Sequence, residues 1–469
     1  MAISALEHFG PLASDQIVTL IAQRGQRPPE ITEEISPLFI NNGNLSQQKN
    51  FSLTIDEAFL EKYPFIHITE CNHFTIRSSM RLKTPPHNNK FFIEITNCAH
   101  FSIEGIGCSF GRNMLFIADS SYFVIENCRC SNAEGSGIII HNGCNFNISE
   151  CFFDNNLSAC ILVIGHSYNG EIKDCTLSRS RGFFNHDAGI HLCCTSPNVT
   201  LEHIPEEIHE PLPITDKTQR PHHILIKNCT ITHCRAQGIY LEGAVNCLIE
   251  DNILLNNNKE GICFDWGSSY NIFCRNIVSL NGERKKLSPQ EIEIDFISEY
   301  PLLADGSSSM KLPGISLDNG CMNLLDGNLV SCNYGGGIKM IRTSLFNVFT
   351  GNRILYNAIG VNEFVPYFHA ITLLGMGAKK EFIKKDRPLL DFMPSIMNTI
   401  NRNTITEPLQ AIFYDKVSSN NFVSENKISV PGRKNAGPAA FFFRARAYLK
   451  RFFHRLSPLP GHRPPHDHG

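Results

Sequence analysis

The chain reads as an all-β solenoid, a coil of short parallel strands, on three observations. Short apolar segments recur about every 24 residues. Within them apolar and variable residues alternate, the period-two mark of a strand buried on one face. Asn and Gly stand at the joints, where sharp turns call for a left-handed backbone. At 469 residues, with 33 Phe against 1 Trp, the chain suits a repeat array better than one globular core or a mixture of unrelated domains.

Residues 1–69 are expected to form an N-terminal cap and lead-in. Ile17, Val18, Leu20 and Ile21 follow Ser14 on an amphipathic stretch over 15–24, which predicts a capping helix. Residues 70–430 carry the repeat, in about twelve copies. Aligning Asn with Asn, Asn127-Cys128 matches Asn228-Cys229, Asn252-Ile253, Asn276-Ile277, Asn328-Leu329, Asn352-Arg353, Asn403-Thr404 and Asn426-Lys427, with Glu150-Cys151 and Asp174-Cys175 in the same slot. A second signal, Gly followed by Ile, opens a strand at Gly189, Gly238, Gly261, Gly314 and Gly337, and more weakly at Gly360-Val361. Two short strands per copy, no helical segment and Asn at the bends predict a single right-handed parallel β-helix with helical caps. Stacking about 4.8 Å per coil would turn the Asn slot into a ladder. Leucine-rich repeats share the length but need an L-x-x-L-x-L run and a convex helix or turn, both missing here.

Three insertions interrupt the period, at about 193–221, 282–313 and 364–394. The first and third leave the coil after the Gly-Ile strand, so they are expected to wall a trough about 20 Å long across the intervening coils. The 18 cysteines occupy repeat positions where Ile or Leu stands in other copies, which reads as buried free thiols in a reducing compartment.

Residues 431–469 combine a basic amphipathic stretch, 439–456, with a Pro- and His-rich tail. Phe441, Ala445, Tyr448, Leu449, Phe452 and Leu456 share one face with Arg444, Arg446, Lys450, Arg451 and Arg455 around it. That pattern suits a cap on the last coil, and also an anionic membrane surface. The tail histidines His462, His466 and His468 suit only adventitious metal binding. Net charge is −3 with 19% charged residues, so no nucleic-acid partner is expected. Glu7 and Asp15 break the apolar core a secretory leader needs, and no run of about 18 apolar residues is present. The expected location is cytoplasmic, or outside the cell by a non-classical route.

The units Gly261-Ile262-Cys263-Phe264-Asp265-Trp266-Gly267-Ser268-Ser269-Tyr270-Asn271 and Gly314-Ile315-Ser316-Leu317-Asp318-Asn319-Gly320-Cys321-Met322-Asn323 resemble coils of the pectate-lyase-like superfamily of β-helix proteins. The resemblance spans roughly 70–430. It implies a polysaccharide or oligosaccharide partner and an enzyme of the lyase, glycoside hydrolase or epimerase kind, or a non-catalytic glycan- or protein-binding scaffold. No Asn-Thr-Asp, Gly-His-Gly and Arg-Ile-Lys set and no Asp-Pro-His motif is present, so no single activity is implied.

Chemistry is expected where outward positions of the Gly-Ile strands stack. The fourth residue after Gly is Cys193, Glu242, Asp265 and Asp318 in successive copies, and Phe364 in the Gly360 copy. The second is His191, Tyr240, Cys263, Ser316 and Lys339, then Asn362. Glu242, Asp265 and Asp318 are candidate acid and base, with Lys339, Tyr240 and His191 assisting. Acids on adjacent coils, about 5 Å apart, suit retaining glycoside hydrolysis. For elimination or epimerisation, Lys339, Tyr240 or His191 would be the base and Arg342 or Ca²⁺ would neutralise a substrate carboxylate. The three acids equally suit Ca²⁺ ligation, or solvated corners with no chemistry. Arg342, Trp266 and Asn362 are the candidate substrate-binding residues. His186-Asp187 is a weaker acid–base pair because strand neighbours face opposite ways, and Cys193-Cys194 has no matching Cys/His pair at finger spacing, so no structural metal site is expected.

Overall fold

The computed structural model describes residues 40, 44–63, 65–78, 81–83, 92–109, 113–182, 187–194, 219–283, 311–341, 344–358, 369–373, 395–406, 411–414, 418 and 420–429. Within these the chain winds as a right-handed parallel β-solenoid with three long sheets. Sheet A has 13 strands, from Asn44–Ser46 to Ile412–Tyr414; sheet B has 13, from Lys49–Thr54 to Phe422–Ser424; sheet C has 12, from Arg81–Lys83 to Lys427–Ser429. Each strand pairs in parallel with its counterpart one coil away, as in Ile239↔Ile262 and Leu241↔Phe264. The crossover that parallel pairing demands is here the rest of the coil itself. Strands of the stack begin at Asn44, within the stretch expected to be lead-in.

The helices expected at 15–24 and 439–456 lie outside the described residues, as do most of the three insertions. Among the described residues the one α-helix is Glu57–Lys62, capped by the Asp56 carboxylate, which accepts from the Phe59 N–H at 2.7 Å.

The interior is a set of columns, each built from one slot. Phe51, Phe74, Phe101, Phe123 and Phe146 stack with ring centroids 4.9, 4.8, 5.0 and 5.5 Å apart. Each buried ring removes apolar area worth roughly 1.5–3 kcal/mol, plus a stacking contribution of about 0.5–1.5 kcal/mol. The stack ends on Gly170, where a Cβ would stand 2.1 Å from Phe146 Cζ, so the ring occupies the space a side chain would need. Farther along, the same slot holds Cys247 and then Asn271, Asn323, Asn347, Asn398 and Asn421.

A second column at the corner between sheets B and C corrects the sequence alignment by one residue. The Cys229 N–H donates to Asn252 Oδ1 at 2.8 Å, which puts Cys229, not Asn228, level with Asn252. Asn127 and Asn228 instead hold the left-handed turn, at φ 55° and 52°. The slot therefore reads Cys128, Cys151, Cys175, Cys229 and then Asn252, Asn276, Asn328, Asn352, Asn403 and Asn426. Thiol and amide do the same job there. Cys229 Sγ donates to Ile172 O at 3.7 Å, and Asn252 Nδ2 donates to Ile226 O at 2.9 Å. All 18 cysteines are free thiols in this structure, and all but Cys144, Cys193 and Cys321 are buried.

The weak Gly360-Val361 signal misplaced one rung. The strand after Ile338–Ile341 in sheet A is Ile371–Leu373, with Ile338↔Ile371, Lys339↔Thr372 and Met340↔Leu373 in register. Ala370, fully buried, takes the position of the coil Gly and accepts from the Ile338 N–H at 2.8 Å. A small side chain suffices there, so a Gly was not required.

Candidate active site on the outer face of sheet A

Alternation along sheet A sends Leu192, Leu241, Phe264 and Leu317 into the main core, and the residues on either side of each outward. The rungs Ile190–Cys193, Ile239–Glu242, Ile262–Asp265 and Ile315–Asp318 thereby carry His191, Tyr240, Cys263 and Ser316 in one outer column. Cys193, Glu242 and Asp265 stand in the next. The stack of candidate acids is thus real for Glu242 and Asp265. The ladder between the next two strands runs as far as Phe264↔Leu317, one residue short of Asp318.

The acids do not face one another. Glu242 Oε2 lies 2.9 Å from His191 Nε2 and accepts from the Cys193 thiol at 3.3 Å. One rung on, Asp265 Oδ2 accepts from the Tyr240 hydroxyl at 2.9 Å, and Asp265 Oδ1 from the Trp266 N–H at 2.7 Å. The His191 and Tyr240 rings lie 4.9 Å apart, tilted. Donors set between the carboxylates relieve the repulsion that two bare acids would feel at rung spacing.

These residues were expected to line an open trough, and that needs correction. His191 is 1% exposed, Tyr240 3%, and Cys263 and Ser316 are buried as well, although all face away from the lumen. Tyr240 and Cys263 join Ala188 in an apolar cluster separate from the main core. Alternation reports the side of a strand, not what covers it. Glu242, Asp265, Asp318, Lys339 and Trp266 are half-buried. Burial, with the charges of Asp265 and Glu242 beside it, pushes the Tyr240 phenol well above its usual range, so it stays protonated. Burial and Glu242 raise the Cys193 thiol in the same way, and hold Cys194 up to about 12.

Lys339 stands on the rung beyond Ser316, paired with it in register. Trp266 sits at the left-handed turn after Asp265, at φ 56°, and its backbone rather than its ring contacts the acid. Arg342 and Asn362 lie outside the described residues, as does His186, and Thr372 takes the column position that Asn362 was assigned. Cys193 was left out of the candidate set because, taken with Cys194, it has no matching Cys/His pair at finger spacing. The available signal was a His and a Cys at both outward positions of one rung, followed by an acid on the next.

The chain belongs to the right-handed β-helix region family, which matches residues 46–203 and 216–375. No curated protein matches it. Among solved structures it is similar to a double mutant of the periplasmic alginate epimerase AlgG, at 13% identity over 85% of this chain and 80% of that one, with a TM-score of 0.48. It is similar also to the catalytic unit of a GH87 α-1,3-glucanase from Streptomyces thermodiastaticus strain HF3-3 (10%, 85% and 62%, TM-score 0.47). A PL6 family polysaccharide lyase from Pseudopedobacter saltans is a third (12%, 89% and 95%, TM-score 0.43).

Proposed function

We propose that this protein acts on a polysaccharide by proton transfer at the outer face of sheet A. The observation that carries the reading is the Tyr240–Asp265 pair, a phenol held protonated within 2.9 Å of a carboxylate, one rung from the His191–Glu242 pair. Such a set supplies a proton donor and an acceptor at fixed spacing, which is what glycosidic cleavage, elimination and epimerisation all require. Tyr240 serves as the acid, and Asp265 orients it and takes up charge. Glu242 and His191 complete the polar centre, with Asp318 and Lys339 on the following rungs. The substrate class comes from the superfamily resemblance of the Gly261 and Gly314 coils.

A panel of uronic and neutral polysaccharides, followed by reducing ends and by absorbance of unsaturated products, tests this. Turnover on at least one polymer is expected, reduced about 10²–10⁴-fold by Tyr240→Phe. Unchanged turnover in Tyr240→Phe and Asp265→Asn removes these residues from the chemistry. A non-catalytic glycan- or protein-binding scaffold is the second reading, and the burial of His191 and Tyr240 favours it. It predicts binding to a polymer that no assay shows to be altered.

The 439–456 segment lies outside the described residues, and no described helix is long and apolar enough to cross a membrane.

A further inference from the structure

We propose that His191, Cys193 and Glu242 form a binding site for a divalent transition-metal ion of the zinc class. One ligand atom from each residue lies within 4.8 Å of the other two. The arrangement follows from the rung geometry. His191 and Cys193 are the two outward positions of one strand, and Cys193 is in register with Glu242 on the next. Both donors converge on a single oxygen, Glu242 Oε2, from His191 Nε2 at 2.9 Å and from Cys193 Sγ at 3.3 Å. A metal at about 2.0–2.3 Å from each ligand atom needs them roughly 3.5 Å apart, so the 2.9 and 3.3 Å separations from Glu242 Oε2 widen slightly while the third, within 4.8 Å, settles to the same spacing, and three corners of a tetrahedron are filled. The fourth side is left for water or a substrate oxygen, the pattern of catalytic rather than structural zinc.

Charge and proton balance favour the ion. Binding releases the Cys193 thiol proton to solvent, so thiolate and Glu242 carboxylate together neutralise the dication in a largely buried place. His191 must present Nε2 as a lone pair, with its proton on Nδ1. Nδ1 is buried with no hydrogen-bond partner, so no other contact fixes the tautomer, and the Nε2–H bond to Glu242 that the shift gives up is replaced by the bonds both residues make to the metal. A nitrogen, a sulfur and an oxygen suit Zn²⁺ or Co²⁺, whereas Ca²⁺ takes six to eight oxygens. Ca²⁺, one of the possibilities raised by the stacked acids, is the poorer fit to this set, in which Glu242 is shared with a thiol and an imidazole. With the metal bound, proton transfer falls to Tyr240 and Asp265, one rung on.

This goes beyond the proposed activity and is read without any substrate, so either can fail alone. The full chain, kept reduced and anaerobic, is titrated with Co²⁺ and followed by its visible bands and by the near-ultraviolet thiolate-to-cobalt charge-transfer band. One equivalent is expected to give both, and Cys193→Ser and His191→Gln are each expected to abolish the charge-transfer band. Cys194→Ser should leave it, as should a triple change of His462, His466 and His468 to Gln. Absence of the band in the intact chain overturns the proposal, as does a band that survives Cys193→Ser or vanishes with the tail histidines. Circular dichroism melts report whether each variant folds. Glu242→Gln keeps the side chain's shape and removes its charge, so it should weaken Co²⁺ binding in folded protein; undiminished affinity there also overturns the assignment.

Discussion

In the first coils the slot that opens the inward face of sheet B holds Phe51, Phe74, Phe101, Phe123 and Phe146, ring on ring, whereas from Asn271 onward the same slot holds a ladder of amides. The corner before sheet C changes in parallel, from Cys128, Cys151, Cys175 and Cys229 to Asn252 and the amides beyond it. A coil asks only that each side chain match its neighbour one rung away. Aromatic faces do this without direction, and one member can shrink at the cost of its own contacts. Amides do it directionally, each carbonyl accepting from the rung before, so removing one orphans groups on another residue. Both changeovers fall beside the rungs that carry His191, Glu242 and Asp265.

The largest expected difference between the halves is their response to alkali. An unfolded thiol ionises near pH 8.5, while burial holds Cys194, Cys247 and Cys274 up to about 12 and pushes Cys160 well up too. The unfolded chain therefore loses protons first. Stability is full below about pH 8.5 and is lost as pH rises through 9 to 12, by about 1.4 kcal/mol per pH unit for each such thiol. By pH 11 the three thiols held at about 12 alone sum to roughly 10 kcal/mol. The amide ladders carry nothing that titrates in this window. Limited proteolysis at pH 10.5 under reducing conditions should therefore cut first among the coils before Cys274; first cuts between 344 and 429 would break the contrast.

A single substitution separates the two kinds of slot next. Asn276 is fully buried, accepts from the Asn252 N–H at 2.9 Å and from Asn252 Nδ2 at 3.0 Å, and donates to Ile249 O at 2.9 Å and to Asn328 Oδ1 at 3.1 Å. Asn276→Leu leaves several of these groups buried and unpaired, at about 1–3 kcal/mol each, so a loss of about 3–5 kcal/mol is expected in chemical denaturation. Phe101→Leu, an apolar change in the ring stack, should cost about 1–1.5 kcal/mol by the same measurement. Cys229→Asn extends the amide ladder by one rung and should shift stability by less than about 1 kcal/mol, because its neighbours already meet an amide at Asn252. Equal losses for Asn276→Leu and Phe101→Leu would show that direction in the hydrogen bonds does not matter.

The architecture was legible in the sequence because a solenoid writes the same contacts again in every copy. Its errors have physical causes. Asn was aligned with Asn, yet Asn127 and Asn228 serve the turn while Cys takes the ladder slot, since a thiol and an amide both reach a backbone carbonyl there. Gly360-Val361 imitated the Gly-Ile signal, while the true rung opens with Ala370, which is small enough. At the site, alternation placed His191, Tyr240, Glu242 and Asp265 on one outer face. It could not tell that His191 and Tyr240 are buried there, nor that Glu242 and Asp265 are each held by a donor of their own, because burial and side-chain reach are not written in the period.

The smallest expected effect sharpens the comparison by being the same in both halves. Arg77–Glu104 links neighbouring rungs near the start of sheet B, at 3.1 Å, and Arg402–Glu425 does so near its far end, at 2.9 Å. Both pairs stand in water, with side chains 63% and 49% exposed in the first and 71% and 63% in the second. Solvent and salt screen such pairs, and fixing two long side chains offsets much of the attraction, so exposed ion pairs contribute about 0–1 kcal/mol. Arg77→Gln and Arg402→Gln should each move the denaturation midpoint barely outside error, and equally. A clear difference between them would mean that the halves are distinguished by their surfaces as well as by the slots inside, since nothing in either pair's own geometry favours one over the other.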